Sequence, residues 1–337
     1  MIYFEAFLMT DLLVLGGYCT YTDIKEGIIP NKAIIIGLVS GIVIHIGLLF
    51  TGSVSYYPHL IINMLIADAF ALCMYLGGLW AAGDTKLFMI LYFLLPPRLL
   101  DGGSLSYSVT PFIFIFVPAL LWMIVDSTMR LIRREPRKQI HYSIDRYLKT
   151  FGVIIVETTA FYCLLSILFP YMITDQPLLI AAIMLVYAYI CASIPFMQRW
   201  YLVLFHILVI AIAWALGRWK ISIPPWQNYV WIALSIGVQR YCALYNYQLI
   251  PTNKIKKGMI PATETVVMFQ ASRVHSLPKD ASEDLSARIT EEEAAAIKRW
   301  EKSSMGRSTI WIVRKVPFAI MIYIGFILWI CFRLWGR

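Results

Sequence analysis

Residues 33–50, which read AIIIGLVSGIVIHIGLLF, contain no Asp, Glu, Lys or Arg. A helix that crosses the hydrocarbon core of a bilayer needs about 20 mostly apolar residues, within a range of roughly 17 to 25. The stretch has this length and this composition. It therefore predicts a membrane-spanning helix and sets the class of the whole fold.

The same pattern recurs along most of the chain. By this criterion we predict an all-α, polytopic integral membrane protein with about ten transmembrane helices, in a range of roughly 8 to 10, and a small cytoplasmic insert. The fourth candidate is the shortest and ends at Pro96-Pro97. The candidate spans are residues 4–22, 33–50, 60–80, 86–97, 110–130, 151–170, 178–197, 200–217, 228–248 and 310–332.

The composition excludes a soluble globular protein. The chain has 337 residues, of which 60% are hydrophobic and 15% charged, and its mean hydropathy is +0.70. A soluble fold has no means of hiding that much apolar surface from water. The 6 cysteines are dispersed without a Cys-x-x-Cys pair, which argues against a disulfide framework or a metal ribbon. No cluster of His, Cys, Asp and Glu has metal-ligand spacing, so we predict no metal and no cofactor.

Basic residues predict the orientation in the membrane. Lys and Arg cluster after the first, fifth and ninth candidate spans, and such clusters are typical of cytoplasmic loops. The net charge of +9 is then loop charge beside the lipid bilayer, so we predict no nucleic acid partner. The residues concerned are Lys25, Lys32, Arg130, Arg133, Arg134, Arg137, Lys138, Arg146, Lys149, Arg240, Lys254, Lys256 and Lys257.

These boundaries suggest four parts of the chain. Residues 1–100 are expected to form a transmembrane core, and residues 101–251 to add further transmembrane helices joined by a basic cytoplasmic loop at 130–149. Residues 252–309 are the only long polar stretch and predict a cytoplasmic insert that contains a helix near its end. That insert is too short to be an enzyme domain by itself. Residues 310–337 are expected to form a C-terminal transmembrane helix.

Two stretches place a carboxylate where an apolar span meets water: Tyr21–Asn31, with Asp23, and Gly77–Lys86, with Asp84. Such an acid is costly at a membrane boundary and needs an explanation. One membrane hairpin separates the two acids, which puts both at the same face of the bilayer. Carboxyl groups brought close together share a proton, so one can take a proton from water while the other donates one to a peptide bond.

A simpler explanation also fits these acids. Asp23 can be a solvated loop acid and Asp84 a helix cap, and neither composition nor spacing decides between the two explanations. We expect Pro30-Asn31 to provide the N-cap of the second span, and a helix to begin at Asp84. Gly83 leaves room for another backbone to approach closely.

The two stretches together resemble the motifs of type IV prepilin peptidases, which are GxGD-type membrane aspartic proteases. Asp23-Ile24-Lys25-Glu26-Gly27-Ile28-Ile29-Pro30-Asn31 is similar to their Asp and Ile-Pro-Asn segment, and Gly83-Asp84-Thr85-Lys86-Leu87 to their Gly-x-Gly-Asp-x-Lys-Leu segment. The likeness lies within residues 1–100, with Ala81 in place of the first glycine.

Six residues are expected to have roles in such a site. By the resemblance, Asp23 and Asp84 would be catalytic. From their charge or their position beside these acids, Gly83, Lys86, Asn31 and Glu26 are expected to bind substrate or support the site. Glu26 also fits an ordinary solvated acid, and Lys86 fits a lysine whose stem covers apolar surface while its ammonium group reaches water.

The resemblance also implies a function. Such a protein is a metal-independent aspartic endopeptidase that removes a short basic leader peptide at the cytoplasmic face of the cell membrane. The likeness is greatest to the archaeal branch, whose substrates are pilin or archaellin precursors, and the length of the chain favours pilin processing. The methyltransferase motifs of bacterial members are absent, so we expect cleavage alone. Two alternatives stay open: a presenilin-like intramembrane protease, and an ion-coupled transporter that uses Asp11, Asp68 and Asp84.

Overall fold

The structure is a computed structural model that describes residues 2–51, 53–76, 80–100, 105–137, 144–193, 200–215, 224–283, 287–314 and 317–335. Gly77, Gly78 and Leu79 of the second acid-bearing stretch lie outside the described residues, as does Lys138 of the basic loop. The ends of the seventh and eighth candidate spans also lie outside them.

Helices make up most of the described chain, together with one small sheet. The α-helices are α1 (Ile2–Glu26), α2 (Asn31–Leu49), α3 (Tyr57–Leu76), α4 (Ala82–Phe93), α5 (Thr110–Ile132), α6 (Ile144–Leu168), α7 (Pro170–Asp175), α8 (Pro177–Ser193), α9 (Trp200–Ala215), α10 (Trp226–Ala243), α11 (Thr263–Gln270), α12 (Glu291–Glu301) and α13 (Ala319–Trp335). The strands are β1 (Tyr247–Pro251), β2 (Ile260–Pro261) and β3 (Thr309–Val313).

The predicted class, an all-α membrane protein, is confirmed. Among the described residues, 5 helices are long and apolar enough to cross a membrane: Ile2–Glu26, Asn31–Leu49, Val54–Leu76, Thr110–Ile132 and Leu148–Leu168. Shorter apolar helices cover Leu179–Ala188, Trp200–Ile212 and Ala319–Trp335. The predicted count of about ten spans is therefore not confirmed, because several apolar segments form helices, among the described residues, that are at or below the lower end of the usual spanning length of roughly 17 to 25 residues.

The chain divides into two compact units. The first, the helical unit, comprises Met1–Leu121, Tyr142–Ser235 and Pro317–Arg337. The second, the sheet unit, comprises Trp122–His141 and Ile236–Val316. Both acid-bearing stretches and all of α13 belong to the helical unit, which therefore holds every residue of the candidate site.

The centre of the helical unit is α4, which has only 12 residues. It contacts α1, α2, α3 and α13, and its side chains Leu87, Phe88 and Leu91 are fully buried. A helix that is apolar on all sides is stable when other helices surround it. The fourth candidate span, expected at 86–97, is thus a short internal helix that begins earlier and ends before Pro96-Pro97.

The sheet unit has its own hydrophobic core. Its antiparallel sheet has the strand order β1-β3-β2, with Ile250 opposite Ile310. The core includes Phe269, Ile297 and Trp300, and the latter two lie on α12. Thr290 caps α12, because its Oγ1 accepts the N–H of Glu293 at 3.2 Å while Glu293 accepts the N–H of Thr290 at 2.8 Å. The expected helix near the end of the polar insert is present as α12.

Two of the predicted membrane spans each contain part of a strand of this sheet. Residues 228–248 were expected to form one helix, but α10 ends at Ala243 and β1 begins at Tyr247. Residues 310–332 were also expected to form one helix, but Thr309–Val313 is β3 and α13 begins at Ala319. The β3 sequence consists of β-branched and aromatic residues that suit a strand, and its burial alternates along the chain. A criterion based on apolar length alone does not separate such a strand from an adjoining helix.

Candidate active site

Asp23 lies in the last turn of α1, which continues to Glu26. The helix stops at Gly27, whose φ of 69° is the left-handed conformation that glycine adopts without strain. The Gly27 N–H donates to the carbonyl oxygen of Asp23 at 2.9 Å, a common way for a helix to end. The glycine thus fixes where α1 ends and places Asp23 one turn before that end.

The Asp23 side chain is buried, with 7% of its surface exposed. Its Oδ2 accepts the backbone N–H of Ala319, the first residue of α13, at 3.3 Å. The explanation of Asp23 as a solvated loop acid is therefore wrong, because the residue is both helical and buried. A buried carboxylate needs hydrogen-bond donors, and a helix N-terminus supplies one together with a favourable dipole.

Asp84 is the third residue of α4 and is half-buried. Its Oδ2 accepts the N–H of Ala81, the N-cap residue, at 3.3 Å. The expectation that the helix begins at Asp84 is off by two positions, since it begins at Ala82. The carboxylate does cap the helix, as the simpler explanation expected. Capping leaves room for chemistry, because a carboxylate has about four acceptor positions.

The structure brings the two acid-bearing stretches into contact. Lys86 Nζ donates to Asn31 Oδ1 at 3.1 Å. A Cβ added at Gly83 would lie 3.4 Å from Cβ and Cδ1 of Ile29. The start of α4 therefore lies against the short loop between α1 and α2. The group that approaches Gly83 is a side chain at ordinary contact distance, whereas the sequence led us to expect a backbone.

Asn31 has a different role from the expected one. Pro30, with φ of −69° and ψ of 124°, is the N-cap residue of α2, and no side chain caps this helix. Asn31 is the first helical residue, so its amide oxygen is available to Lys86. Lys86 and Glu26 are both exposed, and Glu26 is the last residue of α1. Glu26, Asn31 and Lys86 thus place polar groups at the exposed edge of the region that carries the two acids, and we call this edge the rim.

Sequence reasoning missed three residues beside the acids. Ala319 donates to Asp23, and its neighbour Phe318 packs with Trp80, the ring centroids lying 5.9 Å apart. Trp80, only 4% exposed, directly precedes the N-cap residue Ala81. A Pro-Phe-Ala sequence before an apolar run does indicate a helix start. Nothing in that pattern indicates which acid the helix start contacts.

Asp11 and Asp68 lie within α1 and α3. For acids placed well inside apolar spans, the sequence favours hydrogen bonds between helices. One oxygen of each, Asp11 Oδ2 and Asp68 Oδ1, is buried without a hydrogen-bond partner. Those two oxygens therefore do not make the expected bonds. Across the described ranges, no group of three or more His, Cys, Asp and Glu residues is placed to hold a metal ion.

Comparison with known proteins gave one match. Residues 12–125 match the family model of the type IV leader peptidase family. Searches of the curated proteins and of the solved structures found no match. The matched segment contains Asp23 and Asp84, all of α4 and the part of α1 from residue 12 onward, but not α13. The resemblance inferred from the motifs is confirmed over this segment, and the match supports a peptidase of the prepilin leader type.

Proposed function

Since residues 12–125 match the type IV leader peptidase family, we propose that the protein is an aspartic endopeptidase of the multi-pass membrane class, with Asp23 and Asp84 as its catalytic pair. It removes a short basic leader from type IV pilin-like precursors at the cytoplasmic face. The observation that carries the proposal is the contact between the two acid-bearing stretches through Lys86–Asn31 and Gly83–Ile29. The loop after α1 and the start of α4, which are far apart in sequence, thus lie against each other.

The proposed chemistry needs only the two carboxyl groups and water. The ionised member of the pair takes a proton from water, and the water oxygen bonds to the carbonyl carbon of the scissile peptide. The protonated member donates its proton to the leaving nitrogen as the carbon–nitrogen bond breaks. The products are a leader with a new carboxylate and a mature chain with a new amine. After the step the first carboxyl group holds the proton taken from water and the second is ionised. Transfer of one proton from the first group to the second, directly or through solvent, restores the starting state, so the scheme requires no metal ion.

The charges near the site suit a basic leader. Glu26 is exposed at the end of α1 and lies three residues after Asp23, so both acids attract Lys and Arg side chains. The apolar segment that follows the cut stays in lipid beside the enzyme's helices, since leaving the bilayer would expose it to water. The precursor is therefore positioned by charge on one side of the cut and by hydrophobicity on the other.

The substrate proposal is narrower than the family match. We favour an archaeal pilin precursor over an archaellin precursor, because the chain carries helices α6 to α10 beyond the matched segment. The two substrates can be separated by offering both precursors to the same enzyme preparation. Faster cleavage of archaellin would reverse this preference without affecting the proposed chemistry.

The decisive experiment is co-expression with a basic-leader pilin precursor in a host that lacks its own leader peptidase. We expect the wild type to shorten the precursor, and Asp23→Asn and Asp84→Asn each to abolish cleavage while the protein accumulates in the membrane. Mass analysis of the mature product locates the cut. A cut directly after the leader supports the proposal, whereas a cut within the apolar segment indicates a presenilin-like protease.

Matched controls come from the other membrane-embedded acids. Asp11→Asn and Asp68→Asn make the same chemical change inside α1 and α3 and are expected to leave cleavage intact. If these two variants were as damaging as Asp84→Asn, the paired-acid mechanism would be wrong and an ion path through the protein would be favoured. Retained cleavage in either Asp23→Asn or Asp84→Asn would also overturn the mechanism.

A further inference from the structure

The start of α13 has the geometry of a helix N-terminus that holds an acid. The carbonyl oxygen of Phe318 accepts the N–H groups of Met321 at 2.9 Å and Ile322 at 3.2 Å, so Phe318 is the N-cap residue and Ala319 the first helical residue. The N–H of a first helical residue has no partner inside its own helix. Here it donates to Asp23 Oδ2, and Ala319 is fully buried. Because Ala319 is fully buried, a water molecule is a poor replacement for Asp23 as the acceptor of this N–H.

The same helix start also contacts the stretch that carries Asp84. The Phe318 ring packs against Trp80, and Trp80 in turn stacks on Phe112 with the ring centroids 5.5 Å apart. Trp80 precedes Ala81, whose N–H holds Asp84. The two adjacent residues at the start of α13 thus make separate contacts. Ala319 donates a hydrogen bond to Asp23, and the N-cap residue Phe318 packs against Trp80 in the segment that leads to Asp84.

Glycine allows α13 to lie close to α1. A Cβ added at Gly16 would lie 2.7 Å from Cε2 of Tyr323 and closer still to its Cδ2, so Gly16 has no room for a side chain. The next residue, Gly17, is different, because its added Cβ would meet only the Tyr323 hydroxyl at 3.8 Å. Tyr323 also donates to the carbonyl oxygen of Leu13 at 3.0 Å.

The other end of α13 is anchored as well. Trp329 Nε1 donates to Thr110 Oγ1 at 2.8 Å, and Arg333 donates to the carbonyl oxygen of Leu99 at 2.7 Å and 2.9 Å. A helix held at both ends has little freedom to slide. Its first amide is therefore fixed relative to α1.

We propose that the start of α13, Phe318-Ala319, is a positioning element of the active site, in which the Ala319 amide orients the Asp23 carboxylate. The proposal rests on the catalytic pair proposed above. Ala319 does not touch the reacting atoms in this scheme; it acts through Asp23. An N–H donor fixes the rotation of the carboxylate that accepts it, and a fixed orientation is required of a group that takes a proton from water.

The test is Ala319→Pro, compared with Ala319→Gly in the full chain. Proline is well accepted as the first residue of a helix and puts a ring carbon in place of the N–H, whereas glycine keeps the N–H. We expect the proline variant to lower kcat for the basic-leader precursor about tenfold or more, with KM within about twofold of the wild type. The glycine variant should retain kcat. Wild-type kcat in the proline variant, or equal losses in both variants, would overturn the proposal.

A second pair of variants decides the matter if Ala319→Pro fails to accumulate in the membrane. Gly16→Ala forces Tyr323 and hence α13 away from α1, whereas Gly17→Ala adds the same methyl group one residue later without a clash. We expect Gly16→Ala to lower kcat and Gly17→Ala to leave it unchanged. Equal kcat in the two variants would overturn the proposal.

The outcomes separate this proposal from the proposed function. If the wild type does not cleave the precursor, or if Asp23→Asn cleaves it, the catalytic pair is wrong. If Asp23→Asn and Asp84→Asn are inactive but Ala319→Pro cleaves normally, the pair stands and only the role of α13 is wrong.

Discussion

The two acid-bearing helix ends hold their carboxylates in contrasting ways. Asp84 accepts an N–H from Ala81, three residues before it, and is half-buried. Asp23 is buried and accepts an N–H from Ala319, 296 residues away. One half of the candidate site is thus built from local sequence, and the other half depends on the packing of a distant helix. The two halves are expected to differ in how they respond to mutation.

The largest expected effect comes from removing the acids themselves. Asp23→Asn, Asp84→Asn and the double variant should each lose activity by about 1,000-fold or more, with the double variant no worse than either single one. Groups that act as a unit give such non-additive losses. The measurement is the initial rate of precursor cleavage in detergent-solubilised membranes. Losses that add in the double variant would show that the two acids act independently.

A substitution at Gly325, in α13, should impair the Asp23 half of the site, which depends on the packing of this helix. A Cβ added there would lie 2.8 Å and 2.9 Å from the backbone Cα and N of Ile115, which have no room to move aside. We expect Gly325→Ala to cost about 1–3 kcal/mol of stability through overpacking and to lower cleavage with it.

Gly152 supplies the matched control for that prediction. It lies within α6, and a Cβ added there meets nothing within 4 Å. Gly152→Ala should be neutral or stabilise the protein by up to about 1 kcal/mol, because alanine favours helix over glycine. Thermal unfolding in detergent measures both variants, and equal melting temperatures would contradict the packing described for α13.

The local half of the site should be more tolerant. Ala81→Pro removes the N–H that Asp84 accepts, at a φ of −72° that proline adopts readily. Because Asp84 is half-buried, water can replace the lost donor, and we expect kcat to fall by only about threefold. A loss as large as that in Ala319→Pro would remove the distinction between the two halves.

The smallest expected effect is at the rim. Lys86 is exposed and donates to Asn31, and an exposed bond of this kind contributes only about 0.5 kcal/mol. Lys86→Met should therefore change kcat by less than about threefold. A larger loss, not reproduced in Asn31→Ala, would assign Lys86 a direct role beside Asp84.

How well the sequence predicted each feature depends on how far apart along the chain the interacting residues are. The positions of Asp23 and Asp84 near helix ends, and the meeting of their stretches, followed from apolar segment lengths and one hairpin. The capping of Asp84 also followed, because it involves residues close in sequence. The burial of Asp23 was not predicted from the sequence, since it depends on the packing of α13.

The sheet unit shows a second limit. The apolar residues of β3 adjoin the apolar residues of α13, so segment length alone merged them into one span. Alternating burial in β3 is visible only once the strand pairs with β1, because the pattern is set by the partner and by α12. The prediction for Asn31 was wrong for a different reason: α2 begins at Asn31 itself, so Pro30 is the N-cap residue and the Asn31 side chain is available to Lys86.

The bond between Ala319 and Asp23 has a consequence for the making of the protein. The ribosome completes both aspartates long before it reaches α13, so a partly translated chain carries the acids without the amide that orients one of them. We expect such a chain to cleave precursors inserted nearby more slowly than the finished protein does. Full cleavage activity would then appear only after α13 has packed against α1 and placed its first amide beside Asp23.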